Sequence, residues 1–301
     1  MAKGQLVEIE GRELTLSNLD KVLYPAAGFR KADVIDYYRR IAPFVLPHLA
    51  GRPPTLVRAP DGPAGPRFFE KNCPSHRPEW VDTSPGFEAT GGTKGCLVED
   101  VPTLVWLANL AALELHTHQW TTADPAHPTA MVIDLDPGEP ATIVDCCRVA
   151  LELRDTLAQL ERECAGKTSG GKGLHLSVPI HGSDATDDDT KRFALALGQL
   201  LESRDPERVL VDMAKAKRPG KVFVDWSQND RHKTTVCAYS LRLRDTPTVS
   251  TPLAWSEVGD VAESGDEDAL TFEAGAVLER VAEHGDLYAG SLTLHQTLPA
   301  L

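Results

Sequence analysis

Asp134 and Asp136 stand two residues apart at the end of a short apolar run, Ala-Met-Val-Ile-Asp-Leu-Asp. On a strand that spacing projects both carboxylates from one face. Carboxylates converging there repel each other and are costly to desolvate unless a cation lies between them. Their oxygen donors suit Mg2+ or Mn2+, hard ions that keep several waters and take substrate phosphates. The competing reading is a solvated strand end before the Pro137-Gly138 turn, and D-x-D alone does not choose between the two. Asp225 supplies a third carboxylate within Val222-Phe-Val-Asp-Trp226, where the apolar neighbours predict burial. A buried aspartate needs a partner, either a metal or a basic side chain such as Arg218 or Lys221. Three carboxylates on strands match a two-metal site for phosphoryl transfer.

Ser169-Gly-Gly-Lys172-Gly173 reads as a phosphate cradle. Its glycines let backbone N–H groups approach an anion, and Lys172 and Ser169 add a charge and a hydroxyl. The spacing is not that of a Walker A loop, and a strand follows it instead of a helix. His175 and Ser177 alternate on that strand and can share a face, although a satisfied core histidine is the alternative for His175. Arg218, Lys221, Arg231, Lys233, Arg242 and Arg244 flank Asp225 on both sides, and arginine suits bidentate phosphate contact. Phe68 and Phe69 stand between Arg67 and Lys71, the aromatic and basic mixture expected where bases stack. Strand alternation predicts that one of the two rings points inward.

The elements that must carry these residues are legible as patterns. Residues 6–16 alternate as a hairpin around Gly11, and 31–49 have helical spacing. Short strands are expected at 55–58 and 67–71. A buried helix is expected through Leu104, Leu107, Leu110, Ala111 and Leu115, with Pro102 in its first turn. A strand over 130–136, a helix over 140–164 closed by Gly166, a turn over 167–173 and a strand over 174–180 form a β-α-β unit. Helices over 190–203 and 268–284 and a strand over 221–226 complete the pattern. The expected fold class is α/β (α+β), a single compact unit over 1–301, two-lobed at most. Its β-sheet catalytic core is flanked by helices, and its catalytic β-α-β region spans 130–245.

With 301 residues, 42% of them apolar and 25% charged, the composition is that of an ordinary globular chain. No apolar run reaches membrane-spanning length, and the opening residues lack the apolar core of a signal peptide, so a cytoplasmic protein with no membrane partner is expected. The net charge of −13 is unevenly spread. Residues 1–75 carry +3 and 204–245 carry +4, while the 182–189 loop and the stretch 256–286 are acidic. Two basic segments in an acidic body can form a local face for nucleic acid. The six cysteines contain no C-x-x-C pair and are expected to be buried small apolar residues. Cys73 and His76 make at most half a zinc site.

Three segments, in order, resemble one family: Val-Ile-Asp-Leu-Asp-Pro-Gly, Thr-Ser-Gly-Gly-Lys-Gly-Leu-His and Gly-Lys-Val-Phe-Val-Asp-Trp-Ser-Gln-Asn. The family is the polymerase domain of bacterial ATP-dependent DNA ligase D, within the archaeo-eukaryotic primase superfamily. The resemblance extends to Asn18-Leu-Asp-Lys-Val-Leu-Tyr-Pro, Phe68-Phe-Glu-Lys, Leu113-Glu-Leu-His116, Tyr239-Ser-Leu-Arg242 and Thr251-Pro-Leu-Ala-Trp255, nearly the whole chain. It implies a primase-polymerase fold with Asp134, Asp136 and Asp225 as ligands of two Mn2+ (or Mg2+) ions. It implies His116, Ser169, Lys172, His175, Arg218 and Arg242 around the incoming nucleotide. Lys21 and Lys31 would grip a downstream 5′-phosphate, and Phe68 or Phe69 would stack near the template. The family favours Mn2+ and tends to prefer ribonucleotides. The chain departs from it at Thr117-His-Gln-Trp120 and at Cys237, and it carries no K-x-D-G ligase motif, which suits a freestanding relative or an excised domain.

The expected activity is a DNA-dependent nucleotidyltransferase in DNA repair. It adds one or a few nucleotides, from NTP or dNTP, at 5′-phosphorylated gaps or broken ends during non-homologous end joining. One metal activates the primer 3′-hydroxyl and the other stabilises the leaving pyrophosphate. A ligase and a Ku-like protein are the expected partners, and the bacterial nucleoid the expected location. Three alternatives stand beside this reading: an excision-repair gap filler working with another ligase, a D-x-D glycosyltransferase, and a non-catalytic DNA-end binding module.

Overall fold

The structure, a computed structural model, describes residues 4–87 and 91–299. The signal-peptide expectation rests partly on the first three residues, which lie outside that range. The chain runs β1 (Gln5–Ile9), β2 (Arg12–Leu16), β3 (Val22–Tyr24), β4 (Phe29–Arg30), α1 (Lys31–Leu49), β5 (Thr55–Arg58), β6 (Phe68–Glu70), α2 (Val101–Asn109) and β7 (Ala112–Thr117). It continues through β8 (Ala130–Pro137), α3 (Ile143–Gln159), β9 (Ala165–Thr168), β10 (Leu174–Pro179), α4 (Asp187–Arg204), β11 (Val209–Leu210) and β12 (Val222–Asp225). The last elements are β13 (Thr235–Val236), β14 (Pro252–Leu253), α5 (Trp255–Ser264), α6 (Ala274–His284) and α7 (Gly290–Thr293). Among the described residues no helix is long and apolar enough to cross a membrane.

The Cα positions cluster into two compact units. One takes residues up to 118 with 236–250 and 272–285; the other takes 119–235, 251–271 and 286 onward. In the first unit, β5, β6 and β7 belong to a sheet of order β13-β7-β5-β6. Helix α1 presents Val34, Tyr37, Tyr38, Ile41 and Val45 as a buried stripe at helical spacing. Its tyrosines stay satisfied in the core, because Tyr37 donates to the Tyr239 carbonyl at 2.8 Å and Tyr38 to the Leu113 carbonyl at 2.7 Å.

The second unit is built on a six-stranded sheet of order β11-β12-β8-β10-β9-β14. The expected β-α-β unit is present in split form. β10 pairs antiparallel with both β8 and β9, so β8 and β9 run parallel with β10 inserted between them. Met131, Ile133 and Leu135 of β8 are fully buried and alternate with Val132, Asp134 and Asp136 on the opposite face. The apolar face packs on α3 and α4: the Cys146 thiol approaches the Leu135 carbonyl, and Gly198 sits against Val224. The carboxylates therefore leave the sheet on the side away from those two helices.

Several expectations shift. Helix α3 ends at Gln159, and Gly166 lies inside β9 instead of capping it. Glu161 takes the left-handed conformation (φ 58°), and the Arg162 N–H returns to the Leu157 carbonyl, closing the helix five residues earlier. Helix α2 stops at Asn109 and Leu115 lies in β7, because a continuous apolar run does not distinguish helix from buried strand. The acidic 182–189 stretch is a loop only in its first half. Thr186 caps α4, and Asp187, Asp188 and Asp189 occupy its first turn, where carboxylates favour the positive helix end. The last expected helix begins at Ala274, and α5 precedes it. Cys73 and Cys96 form a disulfide, so Cys73 is no zinc ligand and these two cysteines are not simple core residues; Cys146, Cys147 and Cys237 are buried thiols.

Candidate active site

Strand register assembles the site. Directly paired residues of an antiparallel ladder share a face. Asp225 pairs with Asp134, Asp134 with His175, and His175 with Lys167. A row of four polar side chains thus crosses β12, β8, β10 and β9, with Asp136 two residues along β8 on the same face. His175 Nε2 lies 3.2 Å from Asp134 Oδ1, and the Lys167 ammonium lies 3.1 Å from His175 Nδ1. An ammonium offers only hydrogens, so Nδ1 accepts and Nε2 carries the ring proton toward Asp134. Lys167, His175 and Asp134 are all buried.

Asp225, at the exposed end of β12, is half-buried and not buried as its apolar neighbours suggested, and its partners differ from those expected. Its Oδ1 accepts from the Ser227 N–H at 2.9 Å and from the Ser227 hydroxyl, and Gln228 donates to Oδ2 at 3.0 Å. Lys221 donates to the Pro206 carbonyl, and Arg218 lies nearer Asp136, with Nη1 4.0 Å from Oδ2. Asp225 also caps the short 3-10 turn Trp226–Gln228. Asn229, 2% exposed, then exchanges two hydrogen bonds with the backbone of Val132 at 2.8 and 2.7 Å. The Asp-Trp-Ser-Gln-Asn segment is thereby tied to β8 and holds Asp225 beside Asp134.

Burial, followed by the charges of Asp134 and Asp225, pushes Asp136 up to about 6 against the opposing pull of Arg218. This is the repulsion that a cation between carboxylates relieves. Among the described residues no group of three or more His, Cys, Asp or Glu side chains is drawn together as a ready-made metal cage. The donor set itself, three carboxylates on one sheet face with Asp136 reaching solvent, fits a hard divalent ion that keeps its own waters.

The glycine-rich loop joins β9 to β10. Ser169 Oγ accepts from the N–H groups of Gly171 and Gly173 at 3.2 Å, and the Ser169 N–H donates to the Gly173 carbonyl. A Cβ on Gly173 would fall 2.0 Å from the Leu135 carbonyl oxygen, so only glycine lets the loop lie this close to β8. Lys172 pairs with Glu139, and both side chains are exposed. Exposed pairs contribute little and exchange readily for a stronger anion. Arg218 lies flat, its guanidinium carbon 3.8 Å from the centroid of Phe223, which shares the carboxylate face.

The remaining candidates belong to the first unit. His116 Nε2 lies 2.7 Å from Glu114 Oε2, and Arg242 Nε donates to Glu114 Oε1 at 3.1 Å. Lys21 pairs with Asp61, and the buried Lys31 directs its ammonium to the Ser17 carbonyl at 2.7 Å. The Lys31 N–H donates to the Lys21 carbonyl, so the two lysines are neighbours through their backbones. Phe68 and Phe69 are both exposed, at 48% and 71%, against the expectation that one points inward. β6 is an edge strand of three residues, too short and too peripheral for alternation to select a buried face.

Sequence reasoning gave no role to Lys167 and none of its own to Glu114, yet each contacts a candidate side chain. Lys167 lies in β9 just before the glycines, and Glu114 stands two residues before His116 on one strand, a spacing that places both on one face.

Comparison with known proteins bears on the family and the fold. The family described as LigD, primase-polymerase domain, matches residues 30–288. The multifunctional non-homologous end joining protein LigD of Mycolicibacterium smegmatis is 42% identical over 276 residues, covering 91% of this chain and 35% of that protein. The bifunctional LigD of Bacillus subtilis is 30% identical, covering 91% of this chain and 43% of its own length. The chain therefore spans well under half of these relatives. A solved structure, the polymerase domain from Mycobacterium tuberculosis ligase D in complex with DNA, superposes with a TM-score of 0.86 at 39% identity. That match covers 93% of this chain and 98% of the other.

Proposed function

The chain belongs to the LigD primase-polymerase domain family, and on that premise we propose that it adds one or a few nucleotides to DNA at 5′-phosphorylated gaps or broken ends. Non-homologous end joining is the pathway, with a DNA ligase and a Ku-like protein as partners in the bacterial cytoplasm. The observation that carries the reading is the placement of Asp134, Asp136 and Asp225 on one face of adjacent strands.

Two divalent ions, Mn2+ or Mg2+, would be held by those carboxylates and would supply Lewis acidity to the primer hydroxyl and the phosphates. The protein's own groups do the rest. His175, met by Lys167 at Nδ1, presents Nε2 3.2 Å from the Asp134 carboxylate. Ser169 and Lys172 receive the triphosphate, and Arg218, braced on Phe223, adds fixed positive charge. His116 and Arg242 complete the nucleotide contacts. Lys21 and Lys31 receive the 5′-phosphate, and the exposed rings of Phe68 and Phe69 offer stacking surfaces to bases.

The D-x-D glycosyltransferase does not explain the family match, and the non-catalytic module does not explain three carboxylates on one sheet face. The test is extension of a gapped, 5′-phosphorylated duplex with Mn2+ and NTP or dNTP. The unaltered chain incorporates nucleotide, and the variant carrying Asp134→Ala with Asp136→Ala does not. Full activity in that double variant would overturn the mechanism.

A further inference from the structure

Glu114 lies buried on β7, and three donors converge on its carboxylate. His116 Nε2 stands 2.7 Å from Oε2, while Arg242 Nε and the Leu243 N–H donate to Oε1 at 3.1 and 2.7 Å. We propose that Glu114 is a positioning residue of the nucleotide site, locking the His116 ring and the Arg242 guanidinium into one fixed arrangement. The proposal rests on the reading above that those two side chains touch the nucleotide.

Donor chemistry gives the arrangement its content. An ionised carboxylate only accepts, so His116 keeps a hydrogen on Nε2, and Nδ1 is the ring's other polar atom for a ligand. Arg242 donates Nε to Glu114, which fixes the plane of its guanidinium. Burial acts to raise the Glu114 pKa. The His116 hydrogen bond and the Arg242 charge outweigh it, with help from the Leu243 N–H, and hold the carboxyl down at about 2. Glu114 is therefore an anion throughout the working range, and a buried anion needs all three donors.

Glu114→Gln keeps the volume but removes the charge and one acceptor oxygen. In the full chain, 15N spectra of the His116 ring should show Nε2 protonated in the unaltered protein and exchange between both nitrogens in the variant. The nucleotide KM should rise about tenfold, as for loss of one charge-assisted hydrogen bond, with kcat changed less than about threefold. Glu114→Asp, which keeps the charge but withdraws it by one methylene, should recover part of the KM and serves if Glu114→Gln does not fold. A larger loss with NTP than with dNTP assigns Nδ1 to the 2′-hydroxyl; equal losses that vary with the base assign it to a base amine. An unchanged ring signal and KM in a folded Glu114→Gln protein overturn the positioning role. Absence of any nucleotide addition by the unaltered chain overturns the catalytic reading instead, and the ring signal still reports whether Glu114 orders His116.

Discussion

Lys167 places its ammonium 3.1 Å from Nδ1 of His175, and both residues are buried beside Asp134. The contact fixes which nitrogen of the ring carries hydrogen, and it turns Nε2 to within 3.2 Å of the Asp134 carboxylate. Removing the lysine takes away the donor that meets His175 Nδ1. Lys167→Met should lower the rate of nucleotide addition about tenfold or more, because a catalytic group then loses its fixed orientation. The variant should still melt cooperatively well above the assay temperature, so that the rate loss is not one of unfolding. Single-turnover extension set beside a thermal melt reads both effects. Loss of fold in parallel with activity would show that Lys167 is structural only.

A second expectation concerns Lys31. Burial, followed by the charges of Lys21 and Arg58, lowers its pKa from 10.5 to about 8. The folded value lies below the unfolded one, so between about pH 8 and 10.5 the unfolded chain binds more protons and this residue's contribution to stability rises with pH. Below pH 8 the cost of keeping the ammonium in the fold is constant, on the order of 3 kcal/mol. Lys31→Met should therefore be no less stable at pH 7, and the stability difference between the two proteins should shrink across pH 8 to 10.5. Binding to a 5′-phosphorylated DNA end should weaken between pH 7 and 9 in the unaltered protein, as the ammonium deprotonates. Lys31→Arg should abolish that weakening. Denaturant melts over the pH series and a titration with labelled gapped duplex measure the two halves, and a pH-independent affinity would remove Lys31 from the phosphate grip.

These expectations depend on relationships of different legibility in the sequence. Strand periodicity was enough to place Asp134, Asp136 and His175, because a period of two and an apolar run leave little freedom. The cross-strand row was not, because register depends on which strands pair, and the insertion of β10 between β8 and β9 is a tertiary choice. Asp225 was rightly singled out as needing partners, but those partners are Ser227 and Gln228 in the next turn and not the arginine and lysine before it. Local side-chain-to-backbone bonds of that kind compete with ion pairs and carry no periodic signature. Glu114 and Lys167 escaped for a simpler reason. A single charged residue in an apolar strand shows that a partner exists, but only the fold names it.

Gly173 shows how much of the site rests on close backbone approach. An added Cβ would meet the Leu135 carbonyl oxygen at 2.0 Å, and Leu135 cannot yield because Leu174 pairs with it across the ladder. Gly173→Ala must therefore push the 169–173 loop away from β8 or break the first rung of β10. Either response displaces Ser169, whose hydroxyl accepts from the Gly173 N–H, and with it the side chains that would meet a triphosphate. The expected result is a loss of about 2 kcal/mol or more in stability, typical of an overpacked site. The nucleotide KM should rise about tenfold or more, because the cradle moves while the carboxylates stay in place. At Gly171, in the same loop, alanine removes no hydrogen bond from Ser169 and should leave both quantities within a factor of a few, which makes it the internal control. Equal behaviour of the two variants in nucleotide titrations and melts would mean that the loop tolerates displacement and does not cradle the triphosphate.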